Sequence, residues 1–260
     1  MTTNRQFSLA LEALAELTTE RSAHQSEPRP AEPTLSRVLA ELGPLPREAL
    51  FLGVASDGLP VLLNLHDPLP GPMLVLGDAG AGKTAFLQTV ARAVIQTHDS
   101  NDVQFGVITN HPDEWKSVEE TSHGVGVFPA HHASAQALVL SLASWAHTNK
   151  STRQSVLLLI DDLEAVAGLE SDVLQNFRWL LLRGPARRVW PIITLNAERY
   201  GQVISWLQIF RTRIFGRIAD EHVASALGAD KTSALDQLEA RIQFSLRENG
   251  NWLRFWLPGL

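Results

Sequence analysis

Short apolar runs alternate with segments of helical periodicity over most of the chain. Uninterrupted apolar runs predict buried strands at five places: 73–77, 103–109, 125–128, 155–160 and 190–195. Apolar residues at helical spacing predict helices at four others: 83–97, 133–148, 170–183 and 219–227. Strands of this kind in alternation with helices are typical of a mostly parallel sheet that is covered on both faces. We therefore predict an α/β fold.

The first fifty residues have a different pattern. Phe7, Leu11 and Leu14 share one helical face, and the proline-rich stretch 24–33 has little to bury and predicts a linker. A short helix should follow, with Thr34 as its N-cap and Gly43 as its stop. We interpret residues 1–49 as a helical N-terminal appendage.

A β-hairpin is predicted where the main domain begins. FLGVAS and LPVLLNL flank Asp57-Gly58, a dipeptide that favours tight turns between strands. The last ten residues, NWLRFWLPGL, alternate imperfectly and predict a terminal strand. We therefore expect one domain over residues 50–260.

Composition excludes several classes of protein. The 260 residues include 45% hydrophobic and 19% charged residues, which is ordinary for a globular chain. Cysteine is absent, which excludes disulfides, thiolate zinc sites, iron–sulfur clusters and a cysteine nucleophile, and fits a reducing cytoplasm. Glutamates interrupt the apolar N-terminal stretch, and no apolar run reaches the ~18 residues that a membrane helix needs. We expect a cytoplasmic protein without membrane insertion.

Charge is distributed unevenly along the chain. The formal net charge is −6, which argues against a basic coat for nucleic acid but leaves room for a local basic lining. Arginine is concentrated in the second half of the chain, after residue 150.

A glycine-rich segment between a predicted strand and a predicted helix fits the phosphate-loop pattern G-x-x-x-x-G-K-[ST]. Glycines let backbone N–H groups face phosphate oxygens, and the helix N-terminus adds partial positive charge. Lys83 should reach the β- and γ-phosphates, and the Thr84 hydroxyl should bind Mg²⁺. The predicted cofactors are therefore ATP and Mg²⁺. The predicted binding residues are Gly77, Asp78, Ala79, Gly80, Ala81, Gly82, Lys83, Thr84 and Ala85.

Polar residues at the ends of two later strands supply candidate partners for the phosphate loop. Asp161 follows SVLLLI and is the predicted metal-side carboxylate. Asp162 is placed to polarise the attacking water, or else it caps the next helix. Asn196 ends WPIITL and either contacts the γ-phosphate or water, or is a turn residue.

The order of these segments resembles the motor domain of the FtsK/HerA family of ring ATPases over roughly residues 50–260. The hairpin leads directly into the phosphate loop, residues 107–112 resemble the family's strand and Asp-Pro-Lys segment, and LLLIDDLEAV resembles its acidic strand end. LLLRGPARRVWPIITLNAER and FRTRIFGRIADEHVASALG resemble its arginine-rich helix end and its Thr-Arg-Ile strand. The resemblance implies a RecA-like P-loop fold, a hexameric ring and ATP-driven translocation of double-stranded DNA.

The chain also departs from the family's pattern. Asp161-Asp162 stands for an Asp-Glu pair, Asn196 stands for a glutamine, and the Asp-Pro-Lys segment is not intact. These departures leave the efficiency of hydrolysis open.

Ring ATPases use an arginine of the adjacent subunit to stabilise charge on the transferring phosphoryl group. Arg213 matches the family's Thr-Arg-Ile arginine and is the first candidate for this trans-acting role. Arg211 and Arg217 should share its side if the stretch is a strand. A second cluster consists of Arg183, Arg187 and Arg188, and surface ion pairs are the alternative for any of these arginines.

Two classes of function remain after this reading. The first is an ATPase that works as a ring motor on double-stranded DNA, or as a related motor that moves protein. The second is a nucleotide-controlled switch or assembly scaffold with slow turnover. Stimulation of turnover by DNA would separate the DNA motor from the scaffold.

Overall fold

The computed structural model describes residues 33–149, 152–167, 169–248 and 250–260. Ten strands are found in this part of the chain, and all belong to one sheet. They are β1 (Ala49–Ala55), β2 (Pro60–Asn64), β3 (Met73–Gly77), β4 (Val103–Thr109), β5 (Gly124–Pro129), β6 (Ser155–Asp161), β7 (Val189–Asn196), β8 (Thr212–Phe215), β9 (Gln243–Glu248) and β10 (Asn251–Trp256). The predicted α/β class is confirmed.

Helices connect the parallel strands, and shorter 3₁₀ segments follow several strand ends. The helices are α1 (Leu35–Leu42), α2 (Lys83–Thr97), α3 (Lys116–Glu119), α4 (Ala133–Thr148), α5 (Glu164–Ala167), α6 (Ser171–Arg183), α7 (Ile204–Leu207) and α8 (Glu221–Ala226). The 3₁₀ segments include Pro112–Trp115 and Ala197–Val203. The predicted bounds of α2 and α4 agree with the structure to the residue, because apolar positions repeat regularly along both helices.

The sheet combines a parallel half and an antiparallel half. Its order is β2-β1-β10-β9-β8-β3-β7-β6-β4-β5. The strands from β8 to β5 pair in parallel, whereas β9, β10, β1 and β2 pair antiparallel. Strands β3, β7 and β6 are adjacent, so the carboxyl ends of all three lie at the same edge of the sheet. Open parallel sheets bind their ligands at such an edge.

Helices cover both faces of the parallel half. On one face, Phe86, Val90 and Val94 of α2 pack in a cluster with Val75 of β3. On the other face, residues of α4 and α6 pack in a second cluster with Leu74 and Leu76 of the same strand. Alternate side chains of β3 therefore enter different clusters, which explains why buried parallel strands consist of uninterrupted apolar runs.

The predicted hairpin and the short helix before it are both confirmed. Strands β1 and β2 pair antiparallel across a turn in which Gly58 has φ +86°. Thr34 caps α1 by accepting a hydrogen bond from the Arg37 N–H, and Gly43 ends the helix. Helix α1 packs on β1 through Leu35, Val38 and Leu39, and residues 34–260 form one compact unit.

The C-terminal part contains one strand that the sequence analysis missed and one arrangement of arginines that it did not anticipate. Strand β9 was not predicted, because Ser245 and Arg247 interrupt its apolar pattern although Phe244 is fully buried. The sequence predicted that Arg211, Arg213 and Arg217 share one side if their stretch is a strand, and that condition is not met. Strand β8 is only four residues long and contains Arg213, whereas Arg211 precedes it and Arg217 follows it.

The predicted amphipathic helix around Phe7 and nearly all of the linker 24–33 lie outside the described residues. Where the chain is described, no helix combines the length and the apolar character needed to cross a membrane.

Candidate functional site

The phosphate-loop motif lies between β3 and α2, as its sequence context predicts. Gly77 is the last residue of β3, and Lys83 is the first residue of α2. Gly82 precedes the helix with φ +95°, a left-handed conformation that side-chain-bearing residues rarely adopt. The Lys83 ammonium donates hydrogen bonds to the carbonyl oxygens of Gly77, at 2.9 Å, and Asp78, at 2.8 Å. The lysine thus lies folded over the loop, where a phosphate group can replace these carbonyls.

Two segments from the C-terminal part of the chain hold the phosphate loop in place. The Asp78 N–H donates to the Arg217 carbonyl at 2.9 Å, and the Asp78 carboxylate accepts from the Ala219 N–H at 2.8 Å. The Arg241 N–H donates to the Ala81 carbonyl at 3.0 Å. A Cβ atom on Gly82 would lie 2.5 Å from the Arg241 Cα, so only glycine fits there. We refer to the contacts of residues 217–219 and 241 with the loop as the C-terminal brace.

Hydroxyl and carboxylate oxygens meet beside the loop. The Thr84 hydroxyl lies 3.0 and 3.2 Å from the two carboxylate oxygens of Asp161, at the end of β6. The Thr194 hydroxyl, on β7 between β3 and β6, donates to Asp161 Oδ1 at 3.0 Å. Hydroxyl and carboxylate oxygens are the ligands that Mg²⁺ prefers, so these residues fit the ion. Thr84 and Asp161 would hold it, and Thr194 would orient the carboxylate.

Burial acts on the charges of this site. Loss of solvent around Asp161 raises the pKa of its carboxyl, and hydrogen bonds from Thr84 and Thr194 act in the opposite direction. Burial also lowers the pKa of the Lys83 ammonium, partly offset by the charges of nearby aspartates. A bound cation would compensate the buried carboxylate, and a bound phosphate would compensate the buried ammonium.

We expect Asp161→Asn to weaken Mg²⁺-dependent ATP binding and turnover while the nucleotide-free protein becomes more stable at neutral pH. Because the folded-state pKa of Asp161 is raised, its contribution to stability is present at acid pH and is lost as the pH rises through that pKa. Asparagine removes this loss, which is worth on the order of 1 kcal/mol. Thermal unfolding from pH 4 to pH 8 measures the effect. A variant that is less stable than the wild type at neutral pH and equally dependent on pH would contradict the expectation.

Asp162 occupies an unusual backbone conformation at the tip of β6. Its φ is +89°, and its N–H donates to the Thr194 hydroxyl at 2.7 Å. Its carboxylate accepts a hydrogen bond from the Glu164 N–H at 3.2 Å, the contact expected of a helix cap. Asp162 also lines a cavity of about 300 Å³ with Lys83 and Asp161. Both interpretations of Asp162 therefore have a structural basis, and its catalytic role stays a prediction.

Asn196 lies at the same cavity, at the end of β7. Its side-chain oxygen accepts a hydrogen bond from the Glu198 N–H at 3.4 Å and caps the 3₁₀ segment Ala197–Val203. The turn role is thus present in the structure, and contact with the γ-phosphate or water stays a prediction.

The cavity is also lined by residues that the sequence patterns did not identify as part of the site. They are Asn110, His111, Thr194 and Arg199. The guanidinium of Arg199 lies 2.9 Å from Glu164 and 3.9 Å from Asp162. In the sequence, the signal for Asn110 was its position directly after β4, which is where parallel strands present their ligands, and Arg199 lies three residues after the end of β7.

Arg213 does not lie with these residues. Its guanidinium donates three hydrogen bonds to carbonyl oxygens of its own chain, those of Leu207, Phe210 and Leu227, at 2.6 to 3.3 Å. Its trans-acting role stays a prediction and would require these bonds to be exchanged. Among the other candidate arginines, Arg188 also donates to a carbonyl of its own chain, that of Leu65. Arg211 is exposed, and Arg187 is partly exposed.

No protein-family model matches the chain, and the comparison with curated proteins finds no match. Solved structures do resemble it. The cytoplasmic domain of the type VII secretion ATPase EccC of Thermomonospora curvata is 16% identical over 90% of this chain and 28% of that one, with a TM-score of 0.66. The pCW3 conjugation coupling protein TcpA, solved with ATPγS, is 14% identical over 90% of this chain and 71% of that one, with a TM-score of 0.62.

A smaller protein shares the core of the fold. The genome-packaging NTPase B204 of Sulfolobus turreted icosahedral virus 2, solved with AMPPCP, is 8% identical over 73% of this chain and 98% of that one, with a TM-score of 0.51. The chain spans 28% to 51% of the length of the EccC and EssC chains that it matches. At these identities the likeness shows the fold alone: the chain has a RecA-like P-loop fold with a mostly parallel sheet, which it shares with these ATPase structures.

Proposed function

We propose that the chain binds and hydrolyses ATP with Mg²⁺ and works as the motor subunit of a cytoplasmic ring. One observation carries the proposal: the phosphate loop places Thr84 within 3.2 Å of Asp161, across the intervening strand β7. A structural turn would not need this hydroxyl and carboxylate together, whereas a Mg²⁺-nucleotide site does.

Several features of the site support hydrolysis in addition to binding. Asp162, Asn196 and Arg199 reach the cavity from the side of β6 and β7, where the γ-phosphate would lie beside the Mg²⁺ ligands. These groups offer carboxylate, amide and guanidinium chemistry for orienting water and stabilising charge. We assign the loop residues to the phosphates, Thr84 and Asp161 to the metal, and Asp162 to the attacking water.

We further propose that the ring is a homohexamer that translocates double-stranded DNA. The resemblance to FtsK/HerA motors supports this choice, and the solved structures with the same fold include a conjugation coupling protein and a genome-packaging NTPase. Transport of protein is the competing cargo, because other structures with this fold are type VII secretion ATPases. The net charge of −6 requires that any DNA contact be confined to a local basic lining.

The test is ATP hydrolysis by the purified chain as a function of its own concentration and of linear duplex DNA. A ring with a trans-acting arginine should show specific activity that rises with protein concentration, and a DNA motor should be stimulated by duplex. Concentration-dependent hydrolysis that does not respond to DNA would support a motor for another cargo. ATP binding with no hydrolysis under any of these conditions would favour the switch or scaffold.

The capping contact of Asp162 favours that second function. Its side chain is one methylene shorter than glutamate and is engaged with the Glu164 N–H. A scaffold that binds ATP and hydrolyses it slowly does not need a carboxylate that is free to polarise the attacking water.

We expect Asp162→Asn to leave ATP affinity unchanged and to slow hydrolysis by about 10²-fold or more, since asparagine keeps the cap but removes the charge that polarises water. Asparagine also tolerates the left-handed backbone that this position requires. Single-turnover ATPase rates measure the effect. Asp220→Asn is a matched control, because Asp220 caps α8 in the same manner outside the cavity. Equal rates for Asp162→Asn and the wild type would assign Asp162 to capping alone.

A further inference from the structure

Arg199 and Glu164 form an ion pair at the rim of the nucleotide cavity. The Arg199 Nη1 atom lies 2.9 Å from Glu164 Oε2 and 3.9 Å from Asp162 Oδ2. The two residues belong to different elements, since Arg199 lies in the 3₁₀ segment after β7 and Glu164 begins α5 after β6. The pair therefore links the tips of β6 and β7, on the side of the cavity where Asp162 and Asn196 lie.

Glu164 is fixed in this position more firmly than Arg199. Its side chain is 19% exposed, and its backbone N–H is held by the Asp162 carboxylate. Its second oxygen, Oε1, is buried, and no group in the described ranges hydrogen-bonds to it. Arg199 is 52% exposed and has a long flexible side chain. If the pair opens, the guanidinium is therefore the partner that moves.

Among the described residues that line the cavity, Lys83 and Arg199 are the two lysine or arginine side chains. Asp161 and Asp162 both face it, and Lys83 approaches from the phosphate loop. A bound triphosphate would add negative charge next to these two carboxylates, at the end of the cavity where Arg199 lies. A guanidinium matches phosphate oxygens with two parallel hydrogen bonds, and such charge-assisted bonds are the strongest that the chain can offer there.

We propose that Arg199 binds the γ-phosphate of ATP within its own subunit, and that Glu164 holds Arg199 at the rim when this phosphate is absent. The γ-phosphate and the Glu164 carboxylate compete for one guanidinium. ATP opens the pair, whereas the pair stays closed with ADP or without nucleotide, so the ion pair links the tips of β6 and β7 only when the γ-phosphate is absent. Arg199 is then a binding residue for the γ-phosphate, and Glu164 is a positioning residue. The inference rests on the proposed function as an ATP-binding protein.

The test compares the affinities of the full chain for Mg²⁺–ADP and for Mg²⁺–AMPPNP, an analogue that keeps the γ-phosphate position. Isothermal titration calorimetry gives both dissociation constants. Their ratio, that for ADP divided by that for AMPPNP, measures the preference for AMPPNP, and a purely structural residue would not change it. Arg199→Ala should lower the preference for AMPPNP about tenfold and leave ADP affinity unchanged. Arg199→Lys keeps the positive charge but loses the two parallel N–H donors of the guanidinium, so it should retain part of the preference for AMPPNP.

Glu164→Gln removes the competing charge at nearly constant size, so it should raise the preference for AMPPNP several-fold. Glu198→Gln is the matched control: Glu198 is next to Arg199 in sequence, but its side chain is exposed and forms no ion pair with Arg199. Arg254→Ala, an exposed arginine on β10, is the control for loss of a positive charge. Neither control should change the ratio by more than about twofold.

Each outcome has one meaning. An unchanged ratio in Arg199→Ala and Arg199→Lys overturns the contact with the γ-phosphate. A lowered preference for AMPPNP in Glu164→Gln overturns the holding role, because it would show that Glu164 presents Arg199 to the phosphate. A wild-type chain that binds neither nucleotide overturns the proposed function itself, whereas a wild type that binds both with ratios unaffected by these variants overturns this inference alone.

Discussion

Lys83→Ala is expected to weaken ATP binding on the order of a hundredfold or more. The substitution removes the ammonium that lies over the phosphate loop, bonded to the carbonyls of Gly77 and Asp78. Charge-assisted bonds to phosphate are worth roughly 1.5–3 kcal/mol each, and each 1.4 kcal/mol is about tenfold in affinity. Titration with a fluorescent ATP analogue measures the effect.

The fold should survive this change, because Lys83 is not part of an apolar cluster. The nucleotide-free variant should retain its unfolding free energy to within about 1 kcal/mol. Lys116→Ala is a suitable control, since Lys116 is an exposed lysine that pairs with Asp113 on the surface. Unchanged ATP affinity in Lys83→Ala would remove the basis for a nucleotide site at this loop.

The second large effect concerns the trans-acting arginine, which in comparable enzymes contributes ~10³–10⁵ to the rate. If Arg213 has this role, Arg213→Ala should bind ATP but not hydrolyse it. Mixing it with Lys83→Ala should then restore activity in rings where an intact loop faces an intact arginine. Full activity of Arg213→Ala by itself would contradict the assignment.

The structure adds an effect on stability that must be measured together with activity. Arg213→Ala leaves three carbonyl oxygens without their donor, which should cost roughly 3 kcal/mol of unfolding free energy and lower the Tm by about 10 °C. Arg211→Ala, at an exposed neighbouring position, should cost less than about 0.5 kcal/mol. Complementation assays therefore belong well below the Tm of the variant, with Arg187→Ala and Arg211→Ala mixed in parallel as the other candidates.

The sequence predicted those parts of the protein that depend on neighbouring residues. The bounds of α2 and α4 follow from apolar spacing, and the phosphate loop follows from glycines between a strand and a helix. Thr84 and Asp161 were predicted as metal ligands because a phosphate-loop enzyme needs a carboxylate at the end of a neighbouring strand to hold Mg²⁺, and the structure places the two side chains 3.0 Å apart. Local pattern and one topological rule were sufficient for these features.

Other features depend on residues that are distant along the chain. Thr194 orients Asp161 and binds the Asp162 N–H because β7 lies between β3 and β6, which no local pattern reveals. The positive φ of Asp162 and the three carbonyls around Arg213 likewise result from how separate segments pack. Strand β9 was missed because its polar residues hide the pattern, although Phe244 stacks with Phe255 and contacts Phe86 in the core.

The C-terminal brace has a consequence for how the protein is made. During synthesis, a chain leaves the ribosome from its N-terminus, so the phosphate loop emerges well before Arg217, Ala219 and Arg241, which hold it. Until Arg241 has emerged, the loop at Ala81 and Gly82 lacks its partner. A nucleotide that binds this loop therefore cannot assist folding of the nascent chain until residue 241 has emerged, and a ribosome stalled before that residue would hold a loop without its brace.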